Sequence, residues 1–278
     1  MEDCKLCGKK AHLRESHIIP KFVFNWMKKT GTGRFRQKKV LNKPLQDGIK
    51  DFLLCDDCEN EFGKREDWFK RNVFERYLID PKATFKTSDE LLYFAVSILW
   101  RVLIYFKDDG NNYRFMENLN LAAIEWKNFL LKNEPLDKFK DINLVFIPEN
   151  IEIEGGGDNS YSYFFRAVDI EIAEGDKKAF VYAKFSRFIL FGVIAGITEN
   201  DFSGTNIQKS DILNPLKQTM DDADVVDFIV NRSMNVMSYK DLSSTQQQQN
   251  DKYFSTRIEK IKGNDYWNVL KKDIEKRQ

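Results

Sequence analysis

The stretch LLCDDCENEFGKREDWFKRNVFERYL, residues 53–78, joins a pair of cysteines to an amphipathic segment. Apolar residues recur there at spacings that place them along one face of a helix, interrupted by a single glycine: Phe62, Phe69, Val73 and Leu78. The cysteine pair stands directly before this pattern. The stretch therefore predicts a cysteine knuckle that runs straight into a helix.

The cysteine pair has a counterpart near the start of the chain, so that two CxxC pairs contain all four cysteines: Cys4, Cys7, Cys55 and Cys58. Four thiolates on two tight turns satisfy tetrahedral zinc. No secretion signal is visible, which favours metal binding over disulfides. Buried free thiols rarely come as matched pairs, and a thioredoxin-like redox site would need a βαβ pattern around one pair. The spacing predicts a closed, structural zinc site that stabilises the fold.

One of the two histidines, His17, lies between the cysteine pairs in ESHIIPKF, residues 15–22. The order CxxC, then a histidine followed by IIP, then LLCxxC opening a helix, resembles the HNH (ββα-metal) endonuclease superfamily over residues 4–70. The resemblance implies a zinc-stapled, treble-clef-like ββα module. It also implies that His17 is the general base for phosphodiester hydrolysis, with a divalent Mg or Mn ion stabilising the phosphate charge.

The family's asparagine before LLC is missing here, and two further positions depart from its pattern. Ser16 stands where the family has an acidic or histidine metal ligand, and Glu59 follows the last cysteine where His or Asn is common. Glu59 and Glu66 are seven residues apart, on one face of the predicted helix, and carboxylates are good Mg²⁺ ligands. The predicted catalytic set is therefore His17, Glu59 and Glu66. The alternatives are a structural histidine near the knuckle and ordinary helix acids; His12 is expected to be structural.

Residues 28–43 form a basic segment without any acidic residue, and its seven cations are Lys28, Lys29, Arg34, Arg36, Lys38, Lys39 and Lys43. Phe35 is interleaved with them, a pattern that suits contact with a phosphate backbone and one stacked base. The prediction is nucleic-acid binding, with DNA ahead of RNA, although no residue here distinguishes the two. The alternative is a solvated loop.

Composition bounds the class of protein. Apolar residues make up 42% and aromatic residues 14%, enough for a folded core, while the net charge of +1 argues against a generally basic coat protein. The longest apolar run, residues 91–106, contains Arg101 and is too short to span a bilayer. It predicts a buried helix and no membrane association, whereas the cytoplasmic location is predicted from the paired cysteines and the lack of a visible secretion signal.

The chain is expected to divide into an HNH-like module, 1–80, and a second domain, 81–278. The second domain is predicted to contain helices within 87–133, antiparallel strands within 142–196 and C-terminal helices, which makes the protein α+β. Strands at 142–148 and 161–173 are expected to pair across the turn GGGDNS. This domain has no recognisable catalytic motif, and a protein partner, self-association or ligand sensing is left open for it.

Two functions follow. The first is a metal-dependent HNH-like endonuclease, which by analogy with similar nucleases works in a prokaryotic anti-phage defence or mobile-element setting. The alternative is a non-catalytic zinc-stapled module that binds nucleic acid or protein.

Overall fold

A computed structural model describes residues 1–33, 35–37, 40–45, 47–107, 110–197, 202–234 and 243–277, with 35–37 and 40–45 described by their backbone alone. Helices and antiparallel strands follow one another along these ranges, which confirms the α+β prediction. Among the described helices, none has both the length and the apolar run that crossing a bilayer requires.

Of the three short antiparallel pairings in the N-terminal part, two surround the cysteines and His17. One pairing holds the first cysteine pair, and the other joins the strand that ends at His17 to the strand that precedes Cys55. In chain order the elements are β1 Glu2–Asp3, β2 Lys10–Ala11, β3 Arg14–His17, α1 Lys21–Lys29, β4 Phe35–Gln37, β5 Val40–Leu45, β6 Lys50–Leu54, α2 Asp56–Phe69, a π-helical turn Lys70–Phe74 and α3 Glu75–Ile79. The helix after the second cysteine pair is thus confirmed, whereas its place in a treble-clef-like ββα module stays a prediction.

The described residues after 80 form a four-stranded antiparallel sheet with helices packed against it, together with two short two-stranded pairings. The strand order is β8-β11-β10-β9. In chain order the elements are β7 Phe85–Lys86, α4 Asp89–Lys107, α5 Met116–Lys132, β8 Ile142–Phe146, α6 Ser160–Arg166, β9 Val168–Glu174, β10 Ala179–Phe185, β11 Phe188–Ala195, β12 Phe202–Ser203, β13 Ile212–Leu213, β14 Thr219–Met220, α7 Ala223–Met234, α8 Ser244–Ser255, α9 Ile258–Ile261 and α10 Asp265–Lys276.

The prediction of one strand over 161–173 is wrong for its first half, which is α6. The Asp273 carboxylate on α10 accepts hydrogen bonds from the backbone N–H groups of Tyr161 and Ser162, at 2.9 and 3.0 Å. A remote carboxylate therefore caps this short helix. The hairpin across GGGDNS is also wrong, because β8 pairs with β11, Phe146 opposite Phe188.

One buried cluster draws on both predicted domains. Phe69 on α2 stacks on Phe94 of α4 with ring centroids 3.9 Å apart, and it meets Phe188 of β11 edge-on at 5.7 Å. Residues 91–103 of α4 are almost entirely buried, which confirms the buried helix. The boundary at residue 80 stays a prediction, and the packing across it is aromatic and close.

Candidate functional site

The four cysteines meet at the junction of the first knuckle and α2. All four Sγ atoms lie within 4.8 Å of one another, and those of Cys7 and Cys55 are 3.7 Å apart. Sulfurs bound tetrahedrally to zinc at ~2.3 Å would be about 3.8 Å apart, so the set has the right size. Gly8, at φ +75°, gives the first knuckle its turn. The cysteines can hold a metal ion, as their spacing predicted.

Backbone donors surround this cluster. The N–H of Cys55 donates to Cys4 Sγ at 3.4 Å. Burial opposes ionisation of Cys4, but backbone N–H groups, chiefly those of Cys7 and Cys55, lower the pKa of its thiol to about 7. Burial and the neighbouring cysteines raise the pKa of Cys58. A cation among the four sulfurs favours their thiolate forms. A bound metal and the backbone N–H donors would therefore both favour ionisation of the thiols.

His17 lies at the end of β3 with its ring against a carboxylate. Its Nε2 is 3.0 Å from Asp47 Oδ2, close but without the alignment of a straight hydrogen bond. Both side chains are partly buried, at 15% and 21% exposure. Burial by itself raises the pKa of Asp47, but His17, the Gly48 N–H and Lys28 hold that pKa below its ordinary value. The carboxylate therefore faces the imidazole in its ionised form.

Two lysines flank this histidine–aspartate pair. Lys50 Nζ lies 3.6 Å from Asp47 Oδ2 and 3.1 Å from Glu15 Oε2, and the hydrogen bond to Glu15 raises the pKa of Lys50. Lys28, on the last turn of α1, is half-buried and near enough to act on Asp47. The site is thus a partly enclosed imidazole beside Asp47, with Lys28 and Lys50 close to that carboxylate and Glu15 paired with Lys50.

The two predicted helix carboxylates are held by other partners. Glu59 Oε2 accepts a hydrogen bond from the buried Ser16 hydroxyl at 2.6 Å. Glu66 Oε1 pairs with the Arg101 guanidinium at 2.8 Å, and burial raises the pKa of Glu66 despite this partner. Within the described part of the chain, the cysteines form the one group of three or more metal-ligating side chains close enough to share an ion. His17, Glu59 and Glu66 are therefore not brought together as a ligand set.

Only part of the predicted nucleic-acid interface lies on described side chains. Lys29 is exposed at the end of α1, beside the half-buried Lys28. The other five predicted contacts lie outside the described side chains: Arg34, Arg36, Lys38, Lys39 and Lys43. The exposed His12 lies on the chain between β2 and β3.

Sequence reasoning missed Asp47 and Arg101. Asp47 lies just before β6, in a turn-like QDG stretch that carries no motif of its own. Arg101 was recognised only as the charge that interrupts an apolar run. A buried arginine within such a run needs a partner, and this requirement was the available signal.

No protein-family model, curated protein or solved structure matches the chain.

Proposed function

We propose that this chain is an HNH-like nuclease that hydrolyses nucleic-acid phosphodiester bonds, with His17 as the general base. The observation that supports this most is the contact between His17 Nε2 and Asp47 at 3.0 Å. An ionised carboxylate beside an imidazole favours a proton on the facing nitrogen, and it stabilises the imidazolium formed when the ring takes a second proton. Placing the Nε2 proton toward Asp47 leaves Nδ1 as the proton acceptor.

The reaction needs few groups. His17 Nδ1 takes a proton from water as the water oxygen attacks phosphorus, and the bond from phosphorus to the leaving oxygen breaks. Lys50 and Lys28 supply positive charge for the phosphate oxygens, where charge builds up in the transition state. A water molecule protonates the leaving oxygen, which lies on the far side of phosphorus, and the imidazolium releases its proton to solvent.

The contact between Ser16 and Glu59 bears on the catalytic metal that the HNH resemblance implies. The HNH resemblance pairs the residue before the histidine with the residue after the last cysteine, and these two side chains meet at 2.6 Å. The family keeps its divalent ion between these positions. Here the hydroxyl and the carboxylate are bonded to each other, so the donor set does not fit a catalytic Mg²⁺ or Mn²⁺ as arranged. We therefore assign the steps above to side chains of the protein.

The four cysteines are proposed to bind structural zinc. Four sulfurs within 4.8 Å of one another offer zinc all four of its ligands, which would leave no position for substrate. The ion would tie the first knuckle to the start of α2 and so fix β3, which carries His17. Lys28 and Lys29 begin the basic segment 28–43, so nucleic acid, with DNA ahead of RNA, is the proposed substrate. A prokaryotic defence or mobile-element setting is part of the same proposal.

A non-catalytic binding module is the alternative function. It is favoured because both helix carboxylates already have partners within the protein. Glu59 accepts a hydrogen bond from Ser16, and Glu66 forms an ion pair with Arg101. In that case the cysteines would still bind zinc, and the lysines would bind phosphate without any hydrolysis.

The test is cleavage of plasmid DNA and of a structured RNA, each with and without Mg²⁺ or Mn²⁺, by wild type, His17→Ala and His12→Ala. His12→Ala is the matched control because it removes the other, exposed histidine. Loss of a general base costs about 10²–10⁴-fold in rate, so His17→Ala should be nearly inactive and His12→Ala fully active. Equal cleavage by His17→Ala, or binding by gel shift without cleavage in any condition, would refute the nuclease.

A further inference from the structure

Arg101 joins α4 to the strand end that carries His17. Its Nη1 donates to the main-chain carbonyl oxygen of His17 at 2.6 Å, and its Nη2 pairs with Glu66 Oε1 at 2.8 Å. Its Nε donates to the carbonyl oxygen of Ser97, one turn earlier on α4, at 3.2 Å. Every nitrogen of the guanidinium therefore has a partner, and each partner lies on a different element.

The side chain is 1% exposed and lies 5.3 Å over the ring of Phe62. A charge this deeply buried is tolerated only when its partners are fixed. The guanidinium is planar and presents its donors in a rigid fork, so it sets distance and angle among α2, α4 and β3 at once. A lysine ammonium at the same position has no such fork.

The ring of His17 thus lies against Asp47, and its main chain is held by Arg101. We propose that Arg101, supported by Glu66, is a positioning residue that fixes the His17 imidazole, so that α4 of the second predicted domain completes the site. This inference rests on the proposed function for its effect on rate. It gives the region 81–278 a role in the site itself.

The test compares Arg101→Lys with Arg114→Lys in the full-length, zinc-loaded chain. Arg114 is the matched control because its side chain is 58% exposed and pairs with Asp176 on the surface. The first readout is the pair of imidazole signals in a ¹H–¹³C NMR spectrum at one pH. The chain has two histidines, so His12 serves as an internal reference for His17.

In Arg101→Lys the His17 signals should move while those of His12 stay, and kcat should fall about ten- to a hundredfold with KM unchanged. Arg114→Lys should match wild type in both readouts. Glu66→Gln preserves the shape of the side chain and removes its charge. It should therefore shift the His17 signals in the same direction, but by less. If Arg101→Lys does not fold, the Glu66→Gln spectrum decides whether the positioning role holds.

Unmoved His17 signals in the folded variants would overturn the positioning role, even if cleavage were present. Moved His17 signals without cleavage in wild type would overturn the proposed nuclease and leave the positioning role standing. A fall in kcat together with unmoved signals would also count against Arg101 as a positioning residue. The two proposals therefore fail in different ways.

Discussion

Replacing Phe69 with alanine tests how the cysteine-bearing part depends on the rest of the chain. The Phe69 ring is fully buried, stacks on Phe94 at 3.9 Å and meets Phe185 and Phe188 edge-on at 6.1 and 5.7 Å. Truncation of such a ring removes its transfer free energy and leaves a cavity, about 3–5 kcal/mol together. Rigid aromatic neighbours cannot collapse into the space, so the upper half of that range is expected.

The assay is urea unfolding followed by circular dichroism, with hydrogen exchange read peptide by peptide. Phe52→Ala is the matched control, because this phenylalanine on β6 is 57% exposed and its loss should stay within about 0.5 kcal/mol. Phe69→Ala should speed exchange in α2 and in α4 alike, since their rings form one stack. A loss below ~1 kcal/mol, or faster exchange confined to residues 1–80, would refute a shared core and support an independent N-terminal domain.

Further variants test the cysteine site, the imidazole contact and the helix cap. Cys55→Ser should reduce bound zinc from about one per chain to well below half, measured by elemental analysis, and lower the melting temperature. Asp47→Asn should keep the fold but slow cleavage at least tenfold, since the amide cannot stabilise an imidazolium; unchanged kinetics would contradict the proposed base. Asp273→Ala should cost about 1–2 kcal/mol in urea unfolding through the lost α6 cap, whereas the exposed Glu275→Ala should cost almost nothing.

Local patterns were sufficient for the cysteine cluster and for most helices. The CxxC spacing predicted that four sulfurs would meet, and the apolar spacing after Cys58 predicted α2, because both signals are carried by neighbours in sequence. Helix α6 was missed because its first N–H groups are capped by Asp273, far along the chain. Its aromatic sequence looks like a strand when that carboxylate is ignored.

The candidate site likewise contains residues that a local pattern reveals and residues that only the folded chain brings together. His17 was found because motif order marks it, whereas Asp47 becomes visible only when β3 and β6 pair and bring the turn before β6 beside the ring. Glu66 was predicted as a metal ligand from helix periodicity, which places it on the correct face but does not reveal its partner. That partner, Arg101, lies on α4, which belongs to the second predicted domain.

The packing of the N-terminal part against β11, a strand that comes late in the chain, has a consequence for folding during synthesis. Tyr77 and Phe74 pack against Phe188, at the start of β11, with ring centroids 5.4 Å apart in both cases. At typical translation speeds, β11 leaves the ribosome on the order of ten seconds after α3. Throughout that interval the nascent N-terminal part has aromatic rings with no sheet to cover them. The cysteine site, complete as soon as Cys58 emerges, can bind its ion first and hold this part of the chain together until the sheet arrives.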